Sequence, residues 1–244
     1  MNACCGGSEE AKTCLSNIFG SLDLEHLGEL EDRVRMIDFK EGDLIFQEGS
    51  PTDGVFIICQ GFVRYGKAEK NNGEKVTLRL VGPGEMLGVE RLFTDSLSPH
   101  FGRARALVET TTGFIEKSYF LSFLQSKNGA FFDFAKVLAR DIRAFEARLI
   151  RCTCNTIENN LAELLLHLGS KWGKQRDGEI VIPFKFTRKT LASIIGVSKG
   201  SVTNALKNFE ENGCMKRTAG QVIITDPEGL EDLASCRSLN CGCL

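Results

Sequence analysis

Apolar residues change their spacing several times along this 244-residue chain, and each change marks a different kind of element. Over residues 15–36, Leu, Phe and Val alternate with acids at helical intervals, which predicts a short amphipathic helix near residues 24–35. From Ile37 to about Thr112 the period falls to two. Leu44-Ile45-Phe46, Val55-Phe56-Ile57-Ile58, Phe62-Val63 and Val76-Thr77-Leu78-Arg79-Leu80 are strand-like, with Gly, Asn or Asp between them. Many short strands with glycine punctuation predict an antiparallel barrel or sandwich. The helical period returns over residues 130–152, where Phe131, Phe134, Leu138, Ile142, Phe145, Leu149 and Cys152 recur every three or four residues. Such a seam is most simply buried by its symmetry mate in a homodimer; the alternative is packing onto the strand domain.

Beyond the seam, residues 156–171 predict a second helix with Leu161, Leu164, Leu165 and Leu168 inward. Residues 172–178 read as a polar loop and 179–186 as a strand. The segment TRKTLASIIGVSKGSVTNAL, residues 187–206, reads as two short helices joined at Gly196, the second opening at Ser198. Ala192, Ile195, Val197, Val202 and Leu206 are spaced to pack the pair together. Thr187, Arg188, Lys189, Ser198, Lys199, Ser201 and Asn204 are left outward, and Thr203 and Lys207 complete a candidate DNA-contacting set. A helix offered N-terminus first with Lys, Ser and Asn suits a DNA major groove. A hairpin of strands over 214–225, turning at Ala219-Gly220, then makes the order that of a winged helix-turn-helix. The fold class expected is therefore α+β: an N-terminal antiparallel β-roll, a long dimerisation helix and a C-terminal winged helix-turn-helix.

Composition agrees with two soluble domains, since 42% hydrophobic and 25% charged residues suffice for two ordinary cores. No run of about 18 apolar residues predicts a membrane span, and the N-terminus lacks the regions of a signal peptide, so the expected location is the cytoplasm. The net charge of −2 does not suggest nucleic acid, but its distribution does: residues 185–221 hold seven Lys or Arg against Glu210 and Glu211. That local excess of +5 is what a phosphate backbone meets. No catalytic constellation is visible, and the three histidines are scattered. Ten cysteines are many for a reducing compartment, and six stand near the ends: Cys4, Cys5 and Cys14, then Cys236, Cys241 and Cys243. Cys59, in an apolar run, reads as core.

The order of these parts resembles the CRP/FNR family of bacterial transcription regulators over about residues 15–230. The motifs are Phe39-Lys40-Glu41-Gly42-Asp43-Leu44-Ile45-Phe46-Gln47-Glu48-Gly49, residues 55–61, Gly84-Glu85-Met86-Leu87-Gly88, and the helix pair. The resemblance divides the chain into a cysteine-containing segment (1–20), a cyclic-nucleotide-binding-like β-roll (21–128), a dimerisation helix (129–154), a winged helix-turn-helix (155–230) and a cysteine-rich tail (231–244). It implies a homodimer on a palindromic promoter site, with RNA polymerase as a further partner and no membrane. It also implies an effector pocket at Gly84, Glu85, Arg103, Arg105 and Phe145. Cyclic-AMP binders of the family carry an Arg-Ser pair after the Gly-Glu strand and a Thr-Ser pair on the long helix. Gly102-Arg103-Ala104-Arg105-Ala106 has no such serine, and Phe145-Glu146 crowds the adenine end, which argues against cyclic AMP.

The oxygen-sensing branch holds a [4Fe–4S] cluster with three N-terminal cysteines and one in the β-roll. Cys4, Cys5 and Cys14 resemble that group, but Cys4 and Cys5 are adjacent and the β-roll position falls at Gly113-Phe114. A second branch uses three C-terminal cysteines with an acid on the long helix, which Cys236, Cys241, Cys243 and Asp141 resemble at a different spacing. An iron–sulfur cluster or metal, a thiol–disulfide switch, and a small organic ligand or haem (His100 as ligand) stand as alternative signals. The family's reading residues on the second helix, Glu and Arg four apart, are Gly200 and Asn204 here. The expected target is therefore unlike the TGTGA and TTGAT half-sites.

Overall fold

The structure, a computed structural model, describes residues 9–20, 22, 24–51, 53–68, 75–93, 99–127, 129–154, 156–218 and 220–234. Two compact units divide inside the long helix, Met1–Ala144 and Phe145–Leu244.

In the first unit, α1 (Glu9–Ile18) and α2 (Leu24–Glu31) precede eight strands: β1 (Arg35–Phe39), β2 (Leu44–Phe46), β3 (Gly54–Gln60), β4 (Val63–Ala68), β5 (Lys75–Val81), β6 (Met86–Leu87), β7 (Arg103–Ala106) and β8 (Thr110–Glu116). They form two antiparallel four-stranded sheets, β1-β8-β3-β6 and β2-β7-β4-β5. The predicted helix over 24–35 ends early, because Arg35 already pairs with Phe114 across β1 and β8. Helix α3 (Lys117–Ser126) follows, then the 25-residue α4 (Ala130–Cys154).

A single apolar core joins the first sheet to the helices: Leu15, Phe19, Leu30, Val55, Ile57, Met86, Phe120 and Phe134 are buried together. A second core lies between the sheets, with Phe46, Ile58, Val63, Tyr65, Val81, Leu87 and Ala104. The seam of α4 is thus shared between two fates. Phe134 is fully buried in the first core, while Phe131, Ile142 and Phe145 on the same stripe are 56%, 60% and 39% exposed. The side chains of Leu149 and Cys152 lie outside the described residues.

The second unit holds α5 (Ile157–Trp172), β9 (Lys174–Arg176), β10 (Glu179–Lys185), α6 (Arg188–Ile195), α7 (Lys199–Glu211), β11 (Met215–Thr218), β12 (Gln221–Ile224) and α8 (Pro227–Ala234). The loop predicted over 172–178 is in part a strand: β9 pairs with β10 across a tight turn at Asp177-Gly178, both at positive φ. Its three residues are exposed and polar, so no hydrophobic alternation announces it. Helix α5 begins with a reciprocal cap in which the Thr156 hydroxyl accepts from Asn159 N and the Asn159 side chain accepts from Thr156 N. Among the described residues no helix is long and apolar enough to cross a membrane.

Candidate nucleic-acid interface and sensor core

Helices α6 and α7 are each fixed at the start by one hydroxyl. Thr187 Oγ1 accepts from Thr190 N at 3.0 Å, and Ser198 Oγ accepts from Ser201 N at 3.1 Å. Between them Gly196 takes φ +77°, a left-handed turn that an L side chain resists, and its N–H donates to Ala192 O. The pair closes on Leu191, Ala192, Ile194, Val202, Ala205, Leu206 and Phe209, all buried. Ile194 fills the position expected of Ile195, which with Val197 is only half-buried.

What remains outside is the predicted polar set. Thr187, Arg188, Lys189, Ser198, Lys199, Asn204 and Lys207 are exposed, and Ser201 and Thr203 are half-buried. Thr203 spends its hydroxyl on Lys199 O. Charge is more unevenly available than the sequence count suggests. Lys207 pairs with Glu211 at 3.3 Å, Lys216 with Glu179 at 2.7 Å, and Arg217 grips Glu210 through two nitrogens at 2.6 and 2.9 Å. The Arg217 guanidinium holds the Glu210 carboxyl below its ordinary range. Arg188, Lys189 and Lys199 form no ion pair among the described residues, so unspent positive charge stands at the openings of α6 and α7.

Of the predicted effector residues in the first unit, Gly84, Glu85 and Arg105 are parts of the frame. Gly84 takes φ +80° in a turn, and the Glu85 carboxylate accepts from Gly82 N at 2.7 Å. Arg105 donates to Gly42 O and, like Arg103, stands on the face of its sheet opposite Tyr65 and the second core. Phe145 lies exposed on α4 in the second unit. The inner face is lined instead by residues of which only His100 stood in the sequence as a candidate ligand. Phe46 and His100 stack with ring centroids 3.7 Å apart, Phe46 meets the Tyr65 ring edge-on at 6.1 Å, and Tyr65 OH donates to Glu90 Oε1 at 3.0 Å. Arg79, opposite Tyr65 in register, donates to Asp141 on α4 and to Met86 O.

His100, the candidate haem ligand of the sequence, is enclosed by the fold. It is 3% exposed, its Nδ1 is buried without a partner, and burial pushes its pKa down. Burial, seconded by Glu90, pushes the Tyr65 phenol up. Their grouping escapes a reading of the sequence because strand pairing, not local spacing, assembles it.

Of the six candidate cysteine ligands, Cys4, Cys5, Cys236, Cys241 and Cys243 lie outside the described residues. Cys14 is buried on α1, its Sγ 3.5 Å from Ile58 O and 4.0 Å from Cys59 O. Cys59 is half-buried, and a Cβ added at Gly113 would stand 3.8 Å from its Sγ. The β-roll position where a cysteine was expected and not found therefore has a thiol beside it, carried by the neighbouring strand. Among the described residues no three metal-ligating side chains gather. Asp141, the acid considered for a C-terminal cluster, is engaged by Arg79.

Comparison with known proteins fits this layout. Residues 36–127 match the cyclic nucleotide-binding domain family and residues 160–233 the Crp-like helix-turn-helix domain. The chain is 25% identical over 215 residues, 88% of its length and 95% of the relative's, to a "CRP-like cAMP-activated global transcriptional regulator" of Mycobacterium tuberculosis. It is 26% identical over 204 residues, 82% of its length and 95% of the relative's, to the transcriptional regulator SdrP of Thermus thermophilus. Among solved structures, a CRP/FNR-family transcriptional regulator from Thermus thermophilus superposes with TM-score 0.64 at 25% identity, over 82% of this chain and 99% of that one. FixK2 from Bradyrhizobium japonicum shares the fold alone, at TM-score 0.71 and 18% identity, over 83% of this chain and 98% of that one. With both domain families matched in this order on a β-roll, a long helix and a winged helix-turn-helix, the chain belongs to the CRP/FNR family of transcription regulators.

Proposed function

We propose that the protein is a homodimeric, sequence-specific DNA-binding regulator that answers a signal other than cyclic AMP. The observation that carries the first part is the opening of α7: Lys199 and Asn204 are exposed beside a capped N-terminus, a shape that enters a major groove. Thr187, Arg188, Lys189, Ser198, Ser201, Thr203 and Lys207 are assigned to the same surface. Asn204 is suited to bidentate reading of adenine, and Lys199 to guanine or phosphate. The exposed stripe of Phe131, Ile142 and Phe145 supports a dimer through α4, whose two recognition helices would stand about 34 Å apart on a palindromic site. RNA polymerase is the further partner of a regulator placed at a promoter.

The second part rests on the inner face of the β-roll. His100 and Phe46 stack where the sheets face each other, and the Arg79–Asp141 pair bridges from the sheet to α4. A signal that breaks or makes this bridge would alter the long helix, and so re-aim the recognition helices between two dimer arrangements. Cys14 and Cys59, two thiols at one strand, favour an iron–sulfur cluster or metal held with Cys4 and Cys5 over one held by Cys236, Cys241 and Cys243. When bound, a cluster would supply oxygen-labile redox chemistry.

Purification without oxygen tests the signal. Broad visible absorbance that bleaches in air, with iron present, supports a cluster. A sharp Soret band would replace it with haem, and a colourless iron-free protein would replace it with a small ligand or thiol switch. For the DNA reading, gel shifts against selected duplexes decide; preference for TGTGA or TTGAT half-sites over a selected site would sink the assignment of Asn204.

A further inference from the structure

The opening of α7 faces solvent, so the direction of this helix is set by what holds its other end. At the rise of an α-helix, Glu210 in the last turn stands about 16 Å along the axis from Lys199. A tilt of about 5° at the last turn would displace Asn204 by about 0.8 Å and Lys199 by about 1.4 Å. Binding groups need to be held within about 0.5 Å of their working geometry.

Apolar packing anchors the helix but is non-directional: Leu206 and Phe209 are fully buried. Directional contacts reach the last turn from two other elements. Asn208 Nδ2 donates to Glu158 Oε1 on α5 at 3.1 Å. From β11, Arg217 donates through Nε and Nη2 to the two oxygens of Glu210, at 2.6 and 2.9 Å. The chain between α7 and β11 is a tight turn, with Gly213 at φ +73° and Cys214 N–H donating to Phe209 O at 3.0 Å.

Stability alone does not account for this fork. The Arg217 and Glu210 side chains are 23% and 31% exposed, and ion pairs so placed contribute little. Two parallel bonds between planar groups instead fix distance and angle together, which a lysine could not do. The Lys207–Glu211 pair on the same helix, a single contact at 3.3 Å with both partners mostly in solvent, fixes neither. Arg217 is also turned away from the outward polar set. It shares a face of β11 with buried Met215, while Lys216 and Thr218 are exposed on the other. Arg217 first, and Arg188 at the start of α6 after it, hold the Glu210 carboxyl below its ordinary range, so α6, α7 and β11 all bear on one carboxylate.

We propose that Glu210 and Arg217 are positioning residues for DNA reading: their fork sets the pitch of α7 against the β11–β12 hairpin, and with it the preference for one sequence over another, without either side chain touching DNA. This rests on the DNA-binding reading above and adds to it a determinant outside the outward polar set.

Equilibrium binding of the full-length protein to a selected duplex and to a random duplex, over a range of salt, tests it. Glu210→Gln/Arg217→Gln removes the fork and leaves the net charge unchanged. Its affinity for the selected duplex should fall about tenfold, while random-duplex affinity and salt slope stay at wild-type values. Arg217→Lys keeps the charge but not the fork, and should lower the ratio of the two affinities in the same direction. Far-UV circular dichroism and the denaturant midpoint should stay close to wild type in both variants, as expected of a partly solvated pair. A wild-type ratio in either variant would overturn the proposal. So would a parallel fall on both duplexes with the salt slope of the double variant lowered by about one, which would make Arg217 a phosphate contact. Failure of the DNA reading looks different: the wild-type protein itself would bind neither duplex or both alike, and the proposal would fall with it.

Discussion

Helix pair α6–α7 and the sheet β2-β7-β4-β5 each present a row of polar side chains, but the two rows are made differently. On the helices, residues three and four apart become neighbours, so one stretch of twenty residues supplies core, caps and outward face together. On the sheet, Tyr65 meets Arg79, and Arg64 meets Arg105, only because strands from distant parts of the chain pair in one register. A binding surface of the first kind is written locally. One of the second kind exists only after folding.

That contrast can be broken or sharpened by experiment. The largest effect should come from the helix that the dimer reading assigns to pairing. Ile142→Glu with Phe145→Glu should give monomers by sedimentation, and DNA affinity should fall by about 10²–10⁴ as two linked half-site contacts become one. Tight dimers with wild-type affinity would return the seam to a solvated surface. Next, Leu206→Ala, at a fully buried position of α7, should cost about 2–5 kcal/mol in denaturant unfolding of the second unit. At the outward face the effects shrink and divide. Asn204→Ala should lose about 1–3 kcal/mol against the preferred site and relax specificity at one base pair, whereas Lys199→Ala should weaken all duplexes alike and lower the salt slope by about one.

Asp141→Asn sets the sheet against the helices. Keeping one hydrogen bond to Arg79 while losing its charge should cost the first unit about 1 kcal/mol and change the response to the signal, not the sequence preferred. A changed base preference would contradict the division. The smallest effect is the acid limb of stability. The Glu210 carboxyl is held below its ordinary value by Arg217, so its contribution is present above the unfolded pKa and is lost as pH falls through the lower folded one. Glu210→Gln should flatten that loss below about pH 4.5, by under about 1 kcal/mol since the pair is partly solvated.

The two regions also explain what could be read in advance. The 130–154 helix, the strand-rich domain and the helix pair with its glycine turn all follow from periodicity and punctuation, and all are present. The outward polar residues of the helix pair are legible for the same reason. The grouping of the β-roll's polar residues is not: Glu85 and Arg105 carry family-like spacing but brace turns, while Tyr65, Arg79, Glu90 and His100 lie up to 35 residues apart and converge through pairing. Cys59 reads as core because its run is apolar. Its closeness to Gly113 depends on the pairing of β3 with β8, which no local pattern reports. Residues 174–176 read as loop because a short, exposed, polar edge strand has no buried face to alternate with.

Gly200 carries a last consequence. It stands in the first turn of α7, exposed, and a Cβ built there would have Ser198 Oγ as its nearest neighbour at 3.6 Å, an ordinary contact. Most side chains would therefore fit without moving the backbone, and Ala would favour the helix by about 1 kcal/mol. A single nucleotide change in its codon could thus bring a new group to the exposed opening of α7, the face proposed to meet DNA, while the fold stays as it is. The position is an unwritten letter in the protein's address, open to inheritance by drift and to rewriting by selection.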